Sequence, residues 1–340
     1  TGPYDLITPT FSTRAACQIT QIAVLAHRQR IAEGIQLLAT AFLRVRAVDR
    51  AIAIQQETIA LRRQQQISIQ AAAQTSRHDP LDASIVEREL GTAEMELARM
   101  RAGRVALLDE TAAQLGFPLE PALDIDVRNA EQQIFGTFQP TQATLTAVQE
   151  FSTERAIRAI QRDLQELKIK AAYAEYFPTP FFNVRSTDPL DGKVEQGLYV
   201  SVGLNFELWD NGRRPRDVRR QKFVLFQYEM DEELSDARLT GDWRAAVNAY
   251  RIADMDRAIA ESQEEIARLR AERSRIQYEA GSLAAAGMLQ DSVDYTDARR
   301  NTLAKALDRD LALLRLAHLS GHLMKRFIAL ESFATEIPNE

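Results

Sequence analysis

Leu198-Tyr-Val-Ser-Val-Gly-Leu-Asn-Phe-Glu-Leu208 runs straight into Trp209-Asp-Asn-Gly-Arg-Arg214 and then into a helical run that lasts to about Ala280. Leu198, Val200, Val202, Leu204, Phe206 and Leu208 are apolar, and Tyr199, Ser201, Gly203, Asn205 and Glu207 alternate with them. Alternation with period two places the first set on one face of a strand and the second on the other. At about 3.3 Å per residue and a tilt of roughly 40°, such a strand covers about 25–28 Å, the height of the apolar band of an outer-membrane barrel. Its apolar face suits lipid, and its polar face suits a water-filled lumen. A strand with a lipid-facing side must pair its backbone in a closed barrel. One chain offers too few strands for that, so the pattern demands an oligomer.

Working outward, the composition is that of long helices. Of 340 residues, 14 are Gly and 11 are Pro, and 7% are aromatic, too few for a large globular β core. The net charge of -6 gives no reason to expect nucleic acid or an anionic membrane surface as partner. Arg213, Arg214, Arg216, Arg219 and Arg220 form a local basic cluster, read as a solvated helix start or a local salt-bridge network. Cys17 stands alone, which removes internal disulfides and thiolate zinc sites. His318 and His322 are four apart and could chelate a metal on a helix, but read more simply as end-of-helix residues, so no cofactor is expected. No apolar run is long enough for a transmembrane helix, and no signal peptide is visible.

Two structural repeats are expected. The first, 1–150, holds a strand remnant at 3–12, a helical hairpin at 14–116 and an equatorial segment at 117–150. The second, 151–340, holds a helix at 153–176, strands at 181–186 and 198–208, a hairpin at 214–320 and a C-terminal segment. In the first hairpin Pro80 disfavours helix at Asp79, and Asp82 can cap the next helix. Val86, Leu90, Ala93, Leu97 and Met100 then mark a coiled-coil seam, and Gly116 with Pro118 stops the helix. In the second, Leu303, Leu307, Leu311 and Leu314 form one side of the last helix. Ala39-Thr-Ala-Phe42 resembles Val247-Asn-Ala-Tyr250, Leu61-Arg-Arg matches Leu269-Arg-Ala, and Leu81-Asp-Ala-Ser84 matches Leu289-Gln-Asp-Ser292, all at one offset of 208. A constant register favours an internal duplication.

Tyr176-Phe-Pro-Thr-Pro-Phe-Phe182, Val202 to Arg214, and the turn Tyr278-Glu-Ala-Gly281 together resemble the TolC-type outer-membrane efflux family. The order and spacing of these pieces carry the resemblance over nearly the whole chain. It implies a mainly α fold with a small β part, in which coiled-coil hairpins build a periplasmic tunnel. Strands from three copies would form a shared 12-stranded β-barrel. The implied function is a passive trimeric exit duct of a tripartite efflux or secretion system. Its partners would be a periplasmic adaptor, an inner-membrane pump reached indirectly, and outer-membrane lipid of a Gram-negative bacterium. The duplication also predicts a long helix and a strand before Pro3, so residues are either missing from the chain as given or lost.

Family members carry acidic rings near the second tip, so Gln290 and Asp291, with Gly287 nearby, are the pore-gate candidates; three copies of Asp291 would form a carboxylate ring. The plainer reading is that Asp291 caps the last helix. Arg77, Asp79 and Asp82 at the first tip, and Gly281, Ser282 and Leu283 at the second, are candidates for adaptor docking. The competing reading is a structural coiled-coil tether or periplasmic scaffold without a channel, which does not explain the alternating strand. An enzyme is not expected: neither a phosphate loop nor a nucleophile elbow appears.

Overall fold

A computed structural model of the chain describes residues 4–5, 8–73, 80–116, 130–177, 179–186, 198–205 and 210–327. Elements run in the order β1 (Tyr4–Asp5), α1 (Thr8–Ala73), α2 (Pro80–Leu115), α3 (Ala130–Phe135), a 3-10 turn (Pro140–Gln142), α4 (Leu145–Phe151), α5 (Thr153–Ala174), β2 (Thr179–Ser186), β3 (Leu198–Asn205), α6 (Arg213–Glu279), α7 (Ala285–Leu319) and α8 (His322–Phe327). The chain divides into two compact units that cut across the sequence halves: residues 1–31 with 152–241, and residues 32–151 with 242–340.

In the first unit the strands form an antiparallel sheet in the order β1-β2-β3. Thr179 pairs with Asn205 at one end of the β2–β3 hairpin and Ser186 with Leu198 at the other. The expected strand at 181–186 therefore starts two residues earlier. Among the described residues β1 pairs with Phe181 and Phe182, and Pro180 has its partner in β3, a pairing that an edge position lets a proline keep. Phe206, Glu207 and Leu208 lie outside the described residues. The expected strand at 3–12 is corrected to Tyr4–Asp5, and α1 starts at Thr8 rather than Arg14. Pro9 falls in the first turn of α1, where a proline costs no hydrogen bond and its fixed φ suits the helix.

α5 is capped by Ser152, whose hydroxyl accepts from the Arg155 amide at 3.2 Å. It lies antiparallel to the start of α6: Arg155 faces Asp236 at 3.3 Å, Arg162 faces Glu232 at 3.0 Å, and the buried Gln165 donates to the Gln221 carbonyl at 2.9 Å. The passage from strand to α6 is made by Asp210-Asn-Gly212. Asn211 and Gly212 are left-handed, with φ of 50° and 74°. Asp210 accepts from the amides of Gly212 at 3.0 Å and Arg214 at 2.9 Å, so the helix start is satisfied by a carboxylate. Those hydrogen bonds hold the Asp210 carboxyl below its usual range.

In the second unit the core gathers where α3 and α8 pack on the helical hairpins. Ala39 and Leu43 of α1, Ile134 and Phe135 of α3, Phe138, Ala246 of α6, Leu314 and Leu316 of α7 and Leu323 of α8 are all buried in one cluster. Trp243 donates its indole N–H to the Ala143 carbonyl at 2.7 Å, which fixes the 3-10 turn onto α6. The seam expected on α2 is seen: Val86 and Ala93 are buried and Leu90, Leu97 and Met100 half-buried. The plainer reading of the histidines as end-of-helix residues holds, and the capping expected of Asp82 fails. Gly321, at φ 70°, ends the last helix before His322, so His318 and His322 sit on different helices and lack chelating spacing. His322 instead approaches the Phe135 carbonyl through Nε2 at 3.2 Å and stacks on Phe138 with ring centroids 4.6 Å apart. α2 begins at Pro80, itself a good first helical residue, which leaves Asp82 inside the first turn and not at the cap.

Candidate functional site

The second hairpin turns at Gly281. α6 ends at Glu279, Gly281 takes φ 71°, its amide donates to the Tyr278 carbonyl at 2.9 Å, and the Ser282 amide donates to the Gln277 carbonyl at 2.9 Å. This pair of bonds, with Gly in the left-handed position, is the Schellman ending of a helix. The Ser282 hydroxyl reaches the same Gln277 carbonyl at 2.9 Å. Leu283 is half-buried against Gly287, where an added Cβ would stand 3.2 Å from its Cδ1. Gly281, Ser282 and Leu283 thus form one tight turn, against which Gly287 packs from the first turn of α7. Of the first-tip candidates, Arg77 and Asp79 lie outside the described residues, and Asp82 is placed only as a backbone position on α2.

α7 starts at Ala285, so Asp291 lies in its second turn and is not the helix cap. One of its carboxylate oxygens accepts from the Ser274 hydroxyl of α6, a residue that is itself buried. Gln290, next to it, points the other way. Its side-chain oxygen accepts from Arg62 of α1 at 3.1 Å and its nitrogen donates to Asp294 at 2.7 Å. Arg62 is held in turn by Glu89 of α2 at 2.5 Å and Gln65 at 3.0 Å. Gln290 and Asp291 therefore connect α7 to both hairpins.

Above this junction runs a polar ladder absent from the expectations drawn on the sequence. The hydroxyls of Thr58 and Thr296 meet at 2.8 Å, with 6% and 1% of each residue exposed. Gln55, 1% exposed, donates to the Ala93 carbonyl at 3.0 Å and accepts from Arg300 at 2.9 Å. Arg300 also holds Glu96 at 2.9 Å and Asp297 at 3.0 Å, and Arg299 reaches Glu57 at 2.5 Å. A signal for the ladder is present in the chain. Gln55, Thr58, Arg62 and Gln65 follow 3-4-3 spacing on α1, so polar side chains occupy seam positions. Such a seam joins helices by bonds that water can replace, unlike an apolar one.

Of the strand candidates, Val200, Val202 and Leu204 are 52%, 76% and 69% exposed, and Ser201 on the opposite face is also exposed. Leu198, Tyr199 and Asn205 belong to β3 as backbone positions. Neither β1 nor β3 has a second strand partner among the described residues. Open grooves flank the hairpins among the described residues. One, about 310 Å³, lies along α1 and α2 with Glu33, Arg44 and Glu110 in its lining. Another, about 450 Å³, lies along α1, α6 and α7 with Arg50, Glu57, Arg257 and Glu261.

No protein-family profile and no curated protein sequence matches the chain. Solved structures do match it nearly end to end. The MtrE outer membrane channel of Neisseria gonorrhoeae, in its open state, aligns at TM-score 0.73 with 16% identity over 94% of this chain and 73% of that one. VceC of Vibrio cholerae, an outer membrane protein, aligns at 0.73 with 11% identity over 94% and 78%. The CmeC outer membrane channel of Campylobacter jejuni aligns at 0.71 with 10% identity over 94% and 69%. Likeness at such low identity establishes the fold.

Proposed function

We propose that this chain, whose fold is that of the TolC-type outer-membrane channels, is one protomer of a passive trimeric exit duct in the outer membrane of a Gram-negative bacterium. One observation carries the reading. On α6, Ile252, Met255, Ile259, Ile266, Leu269 and Ile276 follow heptad spacing, and each is about half exposed or more. Fully burying one such side chain gains about 1.5–3 kcal/mol, so a stripe of six calls for a covering helix. A neighbouring copy supplies it. Repeated around a three-fold axis, the same contact closes a ring of hairpins around a lumen.

The sheet supports the same reading. Val200, Val202 and Leu204 form an apolar face toward lipid, with Ser201 on the opposite face toward water. The open edges of β1 and β3 suit pairing with neighbouring copies; the three described strands of each of three copies make nine, and a 12-stranded barrel takes one further strand per copy. The near-equal hairpins, 66 and 36 residues against 67 and 35, support descent from a duplicated half.

The turn at Gly281 and the junction around Gln290 and Asp291 form the inner gate, with Asp291 repeated three times as a cation-attracting ring. Gly281, Ser282 and Leu283, with Arg77, Asp79 and Asp82 of the other tip, receive the periplasmic adaptor that links the duct to an inner-membrane pump. Conductance of the purified chain in planar bilayers tests this. Cation-preferring channels from particles of three chains, with the preference reduced by Asp291→Asn and the mass unchanged, are the expected result. A rod-like assembly that opens no channel would instead make the protein a structural tether.

A further inference from the structure

We propose that the base of the β2–β3 hairpin carries a basic and aromatic collar that binds an anionic phospholipid surface. The proposal rests on the duct reading for the side of the sheet that faces lipid, and adds to it a headgroup chemistry and the residues that supply it.

Between Arg213 and Lys222 the chain places six cations and one carboxylate, Asp217, although its net charge is -6. Arg213, Arg216, Arg219, Arg220 and Lys222 are exposed. A local salt-bridge network accounts for only part of the cluster. Arg214 lies 3.9 Å from Asp210, and Arg216 turns back onto the carbonyls of Gly212 at 3.1 Å and Asn211 at 3.2 Å. Arg219 and Arg220 have no acidic partner among the described residues. Helix stability does not explain them either. Cations at the positive end of a helix dipole carry the wrong sign, and the amides of that end are already capped by Asp210.

Beside the cations stand exposed aromatic rings from the end of α5: Tyr173, Tyr176 and Phe177. Lys222 lies 5.4 Å from the Tyr173 ring and Arg214 6.0 Å from that of Tyr176, which makes the two sets one surface. Phe177 is two residues before Thr179, whose partner is Asn205, so the surface borders the sheet end where Leu204 is 69% exposed. The two tyrosines, with an apolar body and a polar tip, and the apolar Phe177 ring, set among long basic side chains, suit the boundary between hydrocarbon and headgroups. From Arg213 to Lys222 the band is about 14 Å deep along the helix. That is roughly a headgroup layer of 5–7 Å plus one Debye length of 8 Å. Beyond it α6 turns acidic, with Glu229, Asp231, Glu232, Glu233 and Asp236. Such a sign change confines the attraction to phosphodiester headgroups at the sheet base.

The test mixes the full chain in detergent with equal parts of phosphatidylcholine and phosphatidylglycerol, then measures which lipid the washed protein retains. Retention favouring phosphatidylglycerol, falling roughly fivefold for each of Arg219→Gln and Arg220→Gln and toward parity in high salt, is expected. Arg238→Gln, an exposed site about five turns further along the helix, leaves the preference as it was. Unchanged melting curves confirm that the variants fold, as exposed glutamines on a helix should. Equal retention of both lipids, with or without the arginines, would overturn the collar and leave the duct standing. Retention of neither lipid would overturn both. Phosphatidylglycerol preference that survives Val202→Arg would show the collar acting apart from strand insertion, in its favour.

Discussion

Gly321 and Gly281 share one backbone conformation, φ 70° and 71°, yet differ in what surrounds them. An added Cβ at Gly321 would fall 2.5 Å from the Phe151 ring, whereas at Gly281 it would meet open space. Gly281→Ala should therefore cost only the left-handed strain of about 1–2 kcal/mol. Gly321→Ala should cost that plus an overpacking penalty of about 1–3 kcal/mol, with the difference read from urea unfolding midpoints. His318 yields a pH prediction at the same core. Burial pushes its imidazole below the ordinary range, against a smaller upward pull from Glu33. The unfolded chain then takes up the proton first, so the contribution of His318 is complete above about pH 6.5 and is lost as pH falls through the lower folded value. The thermal midpoint should drop over that interval, and His318→Gln should flatten the drop. At this scale the sequence was only half legible. Asp291 could be picked out by its place near a tip, but its donor Ser274, on the other arm of the hairpin, could not. The end of the second hairpin at residue 320 was legible, but the contact of His322 with the Phe135 carbonyl beyond it was not.

Among the elements, the long helices and the alternating strand could be read because their signals are periodic and uninterrupted. The seam from Val86 to Met100 and the leucines from Leu303 to Leu314 are buried or half-buried as their spacing predicts. Boundaries were less legible where proline sits at a tolerated place, as at Pro9, Pro80 and Pro180. The polar ladder escapes notice because Gln55, Thr58, Arg62 and Gln65 look like a solvated face unless their heptad spacing is weighed above their polarity. Its energetics can be separated by a double-mutant cycle. Thr296→Val removes the partner on α7 but leaves the buried Thr58 hydroxyl its bond to the Ile54 carbonyl at 3.1 Å, so it should cost about 0.5–1.5 kcal/mol, while replacing both threonines should recover much of that loss. Full recovery would make the ladder a device for register and parting and not for stability. On the strand, Val202→Arg should cost about 2–4 kcal/mol if the residue faces the bilayer midplane, measured by unfolding from lipid vesicles. An unchanged midpoint would place Val202 elsewhere.

For the whole molecule, the sequence points to an oligomer because one chain cannot close a barrel, and the protomer gives a physical reason of its own in the uncovered stripe from Ile252 to Ile276. Neither the stripe nor the sheet edges have partners among the described residues, and the three-fold closure proposed above would satisfy both together. The central claim is therefore the lumen. Projection images of the detergent-purified particle by electron microscopy test it most directly. A three-fold particle with a continuous channel, narrowed at the end that holds the turn at Gly281, is the predicted result. A solid bundle of two or four helical strands without a channel would contradict it.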